Sequence, residues 1–538
     1  MLATRKIREI DSKVLILLAA TFIVAFTNQT FFANVLSNFP LHDGNLPHLI
    51  SLAIVLIALF TVTLSLCCFK RTTKPILIFV LLVSSVTAYF MDSYGVIIND
   101  EMLRNAMQTN AAETFDLLTA SMLFYFLAFG LLPALFVWKV PLRQTGWRQE
   151  LRSRALLITV LLAVVAACTI PYSRFYASFL RGHKILRSYV NPGYALYSLF
   201  KYSNETAGAQ ENAALTPVGE DARIPPTDMG RELVIMVVGE AARADRFSIN
   251  GYARKTTPTL EAEKVISFTN FWSCGTSTAV SVPCMFSPAG MENFNLKKFG
   301  TQENLLDILR HADVNVLWLD NNSDSKGVAL RSAYKNYRSR DNNPVCDEEC
   351  RDEGMLANLQ EYIDSHPKGD IFIVLHQMGN HGPAYFKRYP PDFEKYVPAC
   401  KNNDLSRCTR EEIGNAYDNA ILYTDYFLGK VIQFLKKNDP RFETALFYVS
   451  DHGESLGENG LYLHGLPRTI APEAQTHIPA IMWFGNNYHD VDQSELRRKT
   501  AKHFSHDNVL HTVLGLMEIK TKAYRPELDI LEGSRRPE

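Results

Sequence analysis

Apolar residues in the first third of the chain come in long, almost uncharged runs: Val14 to Phe32, Leu49 to Phe69, Pro75 to Met91, Met122 to Val140 and Ala155 to Pro171. A helix needs about 20 apolar residues to cross a hydrocarbon core of about 30 Å, so the pattern predicts five membrane-spanning helices. From Glu232 onward the texture changes. Short apolar runs that read as buried parallel strands alternate with helical stretches, which predicts an α/β domain. Four of these runs end on chemistry: Leu233 to Val238 leads into Gly239-Glu240, Val314 to Leu319 into Asp320, Ile371 to Leu375 into His376, and Ala445 to Val449 into Ser450-Asp451-His452. Open α/β sheets bind ligands at the carboxyl ends of their strands, so these distant residues are expected to share one crevice.

The stretches between these runs divide the chain further. A five-helix transmembrane domain is expected over residues 1–175, with a polar loop at 92–121, followed by an interfacial segment and linker over 176–231 and the α/β domain over 232–538. Within the loop, Glu101 to Leu118 has helical composition, and Asn105, Thr109 and Glu113 recur every four residues, hence on one helix face. That face is expected to meet a lipid headgroup. Tyr172 to Tyr202 mixes aromatic with basic residues, as segments lying in a membrane interface do; Asn204 to Arg231 is polar and aperiodic, a linker.

Charge and cysteine content fix the compartment. The 47% hydrophobic content and net charge of −1 resemble a large soluble protein, and only their distribution says otherwise. Arg5, Lys6, Arg8 and Lys13, then Lys70, Arg71 and Lys74, then Lys139, Arg143, Arg148, Arg152 and Arg154 all fall on one side of the expected spans, the cytoplasmic side by the positive-inside rule. The opposite connections carry Arg104, with Arg174, Arg181, Lys184 and Arg187 after the fifth span. An odd number of spans then puts everything after Pro171 outside the cytoplasm. A cleaved signal peptide is disfavoured, because the first run is too long and four more follow. Of nine cysteines, Cys67, Cys68 and Cys168 lie in or beside the spans, whereas Cys274 and Cys284, Cys346 and Cys350, and Cys400 and Cys408 form close pairs in the outer part. None has C-x-x-C zinc spacing, and an oxidising compartment favours disulfides between neighbours.

The run Ser273 to Cys284 places hydroxyl residues close together between two cysteines. It reads as an ordered loop presenting one hydroxyl, with Thr276, Ser277, Thr278 and Ser281 all open as that hydroxyl. A Ser or Thr hydroxyl is a weak nucleophile unless activated. Glu240, Asp451 and His452 offer two carboxylates and an imidazole, a donor set typical of zinc and tolerated by manganese, and a metal would lower the pKa of a bound hydroxyl as it does that of water. His376, His381, His464, Glu454 and Lys326, in glycine-containing loops, read as positioned side chains.

Four motifs are specific enough to identify a family: Val238-Gly239-Glu240, the run from Cys274 to Cys284, Gly379-Asn-His-Gly-Pro-Ala-Tyr385 and Ser450-Asp-His-Gly-Glu-Ser-Leu-Gly-Glu-Asn-Gly460. Through them the whole chain resembles the lipid A phosphoethanolamine transferases of Gram-negative bacteria, including the mobilised colistin resistance enzymes, in the alkaline phosphatase and sulfatase superfamily. The resemblance implies an alkaline-phosphatase-like α/β/α catalytic domain in the periplasm, carried on an inner-membrane anchor. It implies Thr278 as nucleophile, and Glu240, Thr278, Asp451 and His452 as ligands of one tightly bound Zn2+, with a second during turnover. Lys326, His381, Glu454, His464, Asn105, Thr109 and Glu113 would hold substrate.

The implied reaction moves phosphoethanolamine from phosphatidylethanolamine to a lipid A phosphate through a covalent phosphothreonine, lowering surface charge and giving polymyxin (colistin) resistance. A monomer with membrane lipids as partners and no nucleic acid is expected. The alternatives are a phosphoglycerol transferase or phosphodiesterase of the same superfamily, or a non-catalytic, metal-stabilised membrane sensor; a sulfatase would need a modifiable Cys or Ser where Thr278 stands. The chain departs from the family pattern at Ala241, where a hydroxyl residue is expected, and at Asn321 to Val328, which lacks flanking cysteines.

Overall fold

The computed structural model describes residues 9–108, 115–207, 214–228 and 230–536. It separates into two compact units, Met1–Asp100 with Leu118–Tyr202, and Glu101–Leu117 with Ser203–Glu538.

The first unit is helical. Leu46–Cys67, Thr73–Tyr94, Ala120–Lys139 and Trp147–Thr169 are each long and apolar enough to cross a membrane, and the first expected run forms two helices, Ser12–Phe26 and Gln29–Asn38, bent by 57°. Counting the bent pair as one span gives the expected five. The bend has an identifiable cause, because side chains insert into the helical hydrogen-bond ladder at Thr27 and Asn28. Thr27 Oγ1 and Asn28 Nδ2 both donate to Ile23 O (2.8 and 3.0 Å). Asn191 caps the opened turn: its Nδ2 donates to Thr27 O and Ser84 O at 2.8 Å each, and its backbone N–H to Asn28 Oδ1 at 2.9 Å. Backbone groups freed in an apolar medium must find such partners. A second irregularity, the π-helical turn Phe126–Leu131, contains Gly130, where an added Cβ would come within 2.4 Å of Ser85 Oγ. Only a residue without a side chain permits that approach. The aromatic and basic stretch after the last span forms the helices Ser173–Gly182, Lys184–Tyr189 and Gly193–Ala207.

The second unit is built on a sheet of eight strands: β1 (Glu232–Gly239), β2 (Ile266–Trp272), β3 (Asn315–Asp320), β4 (Ala333–Asn336), β5 (Ile371–His376), β6 (Glu443–Ser450), β9 (His477–Phe484) and β10 (Phe504–Ser505). Their order is β10-β2-β9-β6-β1-β5-β3-β4, and a separate hairpin joins β7 (Ser455–Leu456) to β8 (Tyr462–Leu463). The four strands expected from their apolar runs form the parallel centre, β6-β1-β5-β3. The pattern did not single out the antiparallel β9, which separates β6 from β2. All of β1 is buried, because Val234, Met236 and Val238 enter a core with Phe268, Trp318, Phe372 and Phe447, as both-face coverage of a parallel sheet requires. Register then aligns the strand ends: Val238 pairs with His376, Gly239 with Ser450 and Asp320 with His376. The long helix Arg410–Asn438 packs against β6 and starts at a reciprocal cap between Thr409 and Glu412.

The three close cysteine pairs form disulfides, Cys274–Cys284, Cys346–Cys350 and Cys400–Cys408. Part of the polar loop also belongs to this unit. Asp116 is buried, with Lys387 Nζ at 2.5 Å and Arg388 Nη2 at 3.2 Å, and Lys326 Nζ donates to Gln108 O at 3.3 Å.

Candidate active site

Two central strands deliver three parts of the site just past their carboxyl ends. Glu240 follows β1, and Asp451 and His452 follow β6. The fourth part, Thr278, comes from the cysteine-bounded run, which is not a loop throughout: Thr278–Met285 is a helix with Ser277 as its N-cap. Thr, Val, Ser and Pro283 all have low helix propensity, which is why the pattern there reads as loop. In the fold the segment is enclosed almost completely and tied at both ends by the Cys274–Cys284 disulfide. Thr278 therefore begins a helix whose first backbone N–H groups lack intrahelical partners, an arrangement that favours anions.

The four residues meet. Thr278 Oγ1 donates to Glu240 Oε2 at 3.0 Å and lies 3.4 Å from His452 Nε2. His452 Nε2 is 3.3 Å from Glu240 Oε1 and 3.4 Å from Asp451 Oδ2. Thr276 Oγ1 is spent on Leu466 O at 2.6 Å, and Ser281 Oγ accepts from Gly275 N at 3.1 Å. Of the hydroxyls left open by the run, Thr278 is the one that joins the carboxylates and the imidazole.

The cluster fits a divalent cation. Ligand atoms of Glu240, Asp451 and His452 lie within 4.8 Å of one another. Glu240 Oε1 and Asp451 Oδ2 are buried without a hydrogen-bond partner among the described residues, a costly state unless something positive satisfies them. His452 Nδ1 is 2.8 Å from Gly453 O. Donating there, the neutral ring turns its Nε2 lone pair into the cluster, as a metal-binding histidine does. Burial alone would lower the His452 pKa, but the charges of Asp451 and Glu240 outweigh it and raise it to about 10. Burial also pushes Asp451 up, and the Glu240 charge adds to this, to about 7. Glu240 is held well below the usual carboxylate range by His452, against its own burial. Without a cation, then, the site takes up a proton in its place, so metal and protons compete for it.

Supporting residues orient the cluster. Asn322, which the pattern did not mark, donates from Nδ2 to Glu240 Oε2 at 2.8 Å and to Gln377 O at 2.6 Å. Asn322 follows β3, so its place at a strand end was the available signal. His376 is held by Asp320 (Nδ1 to Oδ2, 2.9 Å), itself bonded by Trp318 Nε1 at 2.9 Å. Ala241 sits at φ +53°, and its backbone N–H donates to Asp451 Oδ1 at 3.1 Å while its carbonyl accepts from the Tyr417 hydroxyl at 2.6 Å. The position orients a carboxylate through its main chain, so an alanine can do so as well as a hydroxyl residue. His506 links the run to β6: its Nδ1 accepts from Cys274 N and its Nε2 donates to Ser450 O, both at 3.0 Å.

A second group adjoins the first. Ligand atoms of His452, Glu454 and His464 also lie within 4.8 Å of one another, because the β7–β8 hairpin places Glu454 and His464 at its two ends. Glu454 accepts from the Tyr385 hydroxyl (2.6 Å) and from His464 Nδ1 (2.7 Å). Burial and the His452 charge lower the His464 pKa. The rings of His464 and His381 lie 5.7 Å apart. Lys326 Nζ donates to Ser323 O at 2.7 Å. Asn105 lies on the helix Asp100–Gln108, and Thr109 and Glu113 fall outside the described residues.

Comparison with known proteins supplies the family. Residues 232–519 match the family model described as Sulfatase, and residues 56–207 the one described as Phosphoethanolamine transferase EptA/EptB. The chain is 41% identical over 524 residues to the phosphatidylethanolamine transferase Mcr-1 of Escherichia coli, covering 95% of this chain and 96% of that protein. It is 38% identical over 533 residues to the phosphoethanolamine transferase EptA of Escherichia coli K12, covering 97% and 96%. Among solved structures, the integral membrane lipooligosaccharide phosphoethanolamine transferase A of Neisseria meningitidis matches with a TM-score of 0.94 at 35% identity, over 98% of this chain and all of that one. With near-complete coverage in both units and a hydroxyl, two carboxylates and an imidazole converging at the sheet's carboxyl edge, the chain belongs to the membrane-anchored phosphoethanolamine transferases of the alkaline phosphatase and sulfatase superfamily.

Proposed function

We propose that this protein is a zinc-dependent enzyme that transfers phosphoethanolamine from phosphatidylethanolamine to a phosphate of lipid A, masking negative charge on the cell surface and so conferring polymyxin resistance. The observation that carries this reading is the buried Thr278 hydroxyl, 3.0 Å from Glu240 Oε2 at the first residue of a helix. Glu240, Thr278, Asp451 and His452 would hold the metal. When bound, zinc lowers the pKa of a coordinated hydroxyl and polarises a phosphoryl oxygen.

In the first step Thr278 Oγ1 gives up its proton, already directed at Glu240 Oε2, and forms a bond to phosphorus. The bond from phosphorus to the glycerol oxygen breaks, and diacylglycerol leaves with a proton on that oxygen. The free N–H groups at the helix start face the developing charge. In the second step a lipid A phosphate oxygen attacks the phosphothreonine, the Oγ1–phosphorus bond breaks and Thr278 regains its proton. His464, which directs Nδ1 at Glu454 and whose lowered pKa keeps it neutral near pH 7, can accept a proton at Nε2 from an incoming acceptor. Lys326 and His381 would hold the phosphoethanolamine, and Asn105, Thr109 and Glu113 would approach the headgroup. In functional terms residues 1–175 anchor the enzyme, 176–231 follow the membrane interface and link, and 232–538 carry the chemistry within a single monomer.

The test is mass spectrometry of lipid A from cells producing the wild-type chain or Thr278→Ala. The expected result is added phosphoethanolamine with the first and none with the second, with zinc largely retained by Glu240, Asp451 and His452. Full modification by Thr278→Ala excludes Thr278 as the nucleophile.

A further inference from the structure

At the opposite end of β1 from Thr278, carboxylates converge again, with no histidine in the group among the described residues. Asp228, Glu232 and Asp370 offer oxygens that lie within 4.8 Å of one another. Glu232 begins β1 and Asp370 directly precedes β5, so the parallel pairing of these strands brings them side by side. Glu232 is 1% exposed and Asp370 4%. Eight strand residues at about 3.3 Å each put this cluster roughly 25 Å from the catalytic end.

Hydrogen bonding leaves the group incomplete. Asp370 Oδ1 accepts from Glu232 N at 3.2 Å, and Asp228 Oδ1 from Gly230 N at 2.9 Å. Glu232 meets Asp370 carboxyl to carboxyl, as Glu443 meets Asp490, but no donor among the described residues reaches the buried Oε2 of Glu232 or of Glu443, the residue that pairs with Glu232 across β1 and β6. The open side of Gly230 faces both: a Cβ there would lie 2.7 Å from Glu443 Oε1 and 3.4 Å from Glu232 Oε1. The Arg231 guanidinium donates to Gly369 O and His366 O, so its charge acts on Asp370 and Glu232 without a direct ion pair. Among the described residues no Lys or Arg nitrogen pairs with Glu232 or Asp370. Charges buried this deeply are neutralised by a proton or by a cation.

We propose that Asp228, Glu232 and Asp370 bind a divalent cation of the calcium class, a second metal site separate from the catalytic one. An all-oxygen donor set selects a hard cation. Ca2+ takes six to eight oxygens at 2.3–2.6 Å in flexible geometry, which suits carboxylate oxygens that lie within 4.8 Å of one another. Bound there, the ion ties the linker preceding β1 to the starts of β1 and β5. In its absence burial, and then the charge of Asp370, raise Glu232 to about 10, so the cation displaces a proton from the group.

The experiment is thermal unfolding of the full-length, detergent-solubilised protein, with its catalytic metal in place, against CaCl2 from micromolar to millimolar concentrations. The midpoint should rise saturably by a few degrees, as ligand linkage requires. The rise should persist in Asp451→Asn and be lost in Asp370→Asn. Asp228 is less buried, so Asp228→Asn provides a variant less exposed to misfolding, and it should weaken the response at least tenfold in Ca2+ concentration. Equilibrium dialysis with radioactive Ca2+ should find one ion bound in wild type and Asp451→Asn, and none in Asp370→Asn. No rise in wild type, or a rise unchanged in Asp370→Asn, overturns the site. A destabilisation relieved by Asp370→Asn without any Ca2+ response would show instead that the carboxyls share a proton.

Discussion

The two ends of β1 bury carboxylates in different company. At the carboxyl end Glu240 and Asp451 share their enclosure with His452 and the Thr278 hydroxyl, beside free helix N–H groups, a mixture that can hold a metal and move a proton. At the amino end the group of Asp228, Glu232 and Asp370 holds carboxylates alone among the described residues. Glu232 and Asp370 are buried nearly as completely as Glu240 and Asp451, so burial does not distinguish a reactive site from a structural one. What distinguishes them is whether a nucleophile and a nitrogen donor stand among the carboxylates.

The largest expected effect that would break this contrast is at Glu240. Glu240→Ala removes a carboxylate that touches both Thr278 and His452. It should abolish transfer and reduce zinc to near background by elemental analysis, whereas Asp370→Asn should retain zinc; undiminished zinc in Glu240→Ala removes it from the ligand set. Next comes Asn322→Ala, which deletes a 2.8 Å hydrogen bond to Glu240 without deleting a ligand. Loss of such an outer partner typically costs about 10- to 100-fold in metal affinity or activity, and a zinc-chelator competition assay should read it.

The smallest effect concerns pH, which should act on the two ends in opposite senses. Burial lowers His506 to about 3, so its neutral form favours the folded state. Its contribution is complete above the unfolded value near 6.5 and is lost as pH falls from there toward 3. Glu232 is raised to about 10. Its contribution is complete below the unfolded value near 4.5 and is lost as pH rises toward 10 when no cation is bound. Denaturant unfolding should therefore show an acid loss on the order of a few kcal/mol that shrinks in His506→Asn, and an alkaline loss that Ca2+ removes. An acid slope unchanged in His506→Asn would exclude that histidine as its source.

Much of the catalytic end was legible along the chain. Parallel strands buried on both faces read as continuous apolar runs, and Glu240, Asp320, His376, Asp451 and His452 stand immediately after such runs. Helix spans were legible for the same reason, while the 57° bend was not, since Asn191 acts on Thr27 and Asn28 from 164 and 163 residues away. The helix at Thr278 was hidden by residues of low helix propensity. Asn322 was hidden by its ordinary composition in a polar turn.

By itself, the sequence of this protein determined the apolar spans, the oxidising side and the close cysteine pairs, the polar residues at the strand ends and, through its motifs, the family. These depend on residue type and local spacing. Only the tertiary structure decided that Thr278, and not Thr276 or Ser281, reaches Glu240 and His452, that Asp116 ties residues of the polar loop to Lys387 and Arg388, and that Asp228, Glu232 and Asp370 meet at the far end of β1. Such meetings depend on strand register and side-chain direction, which no local spacing encodes when the partners lie 138 or 271 residues apart.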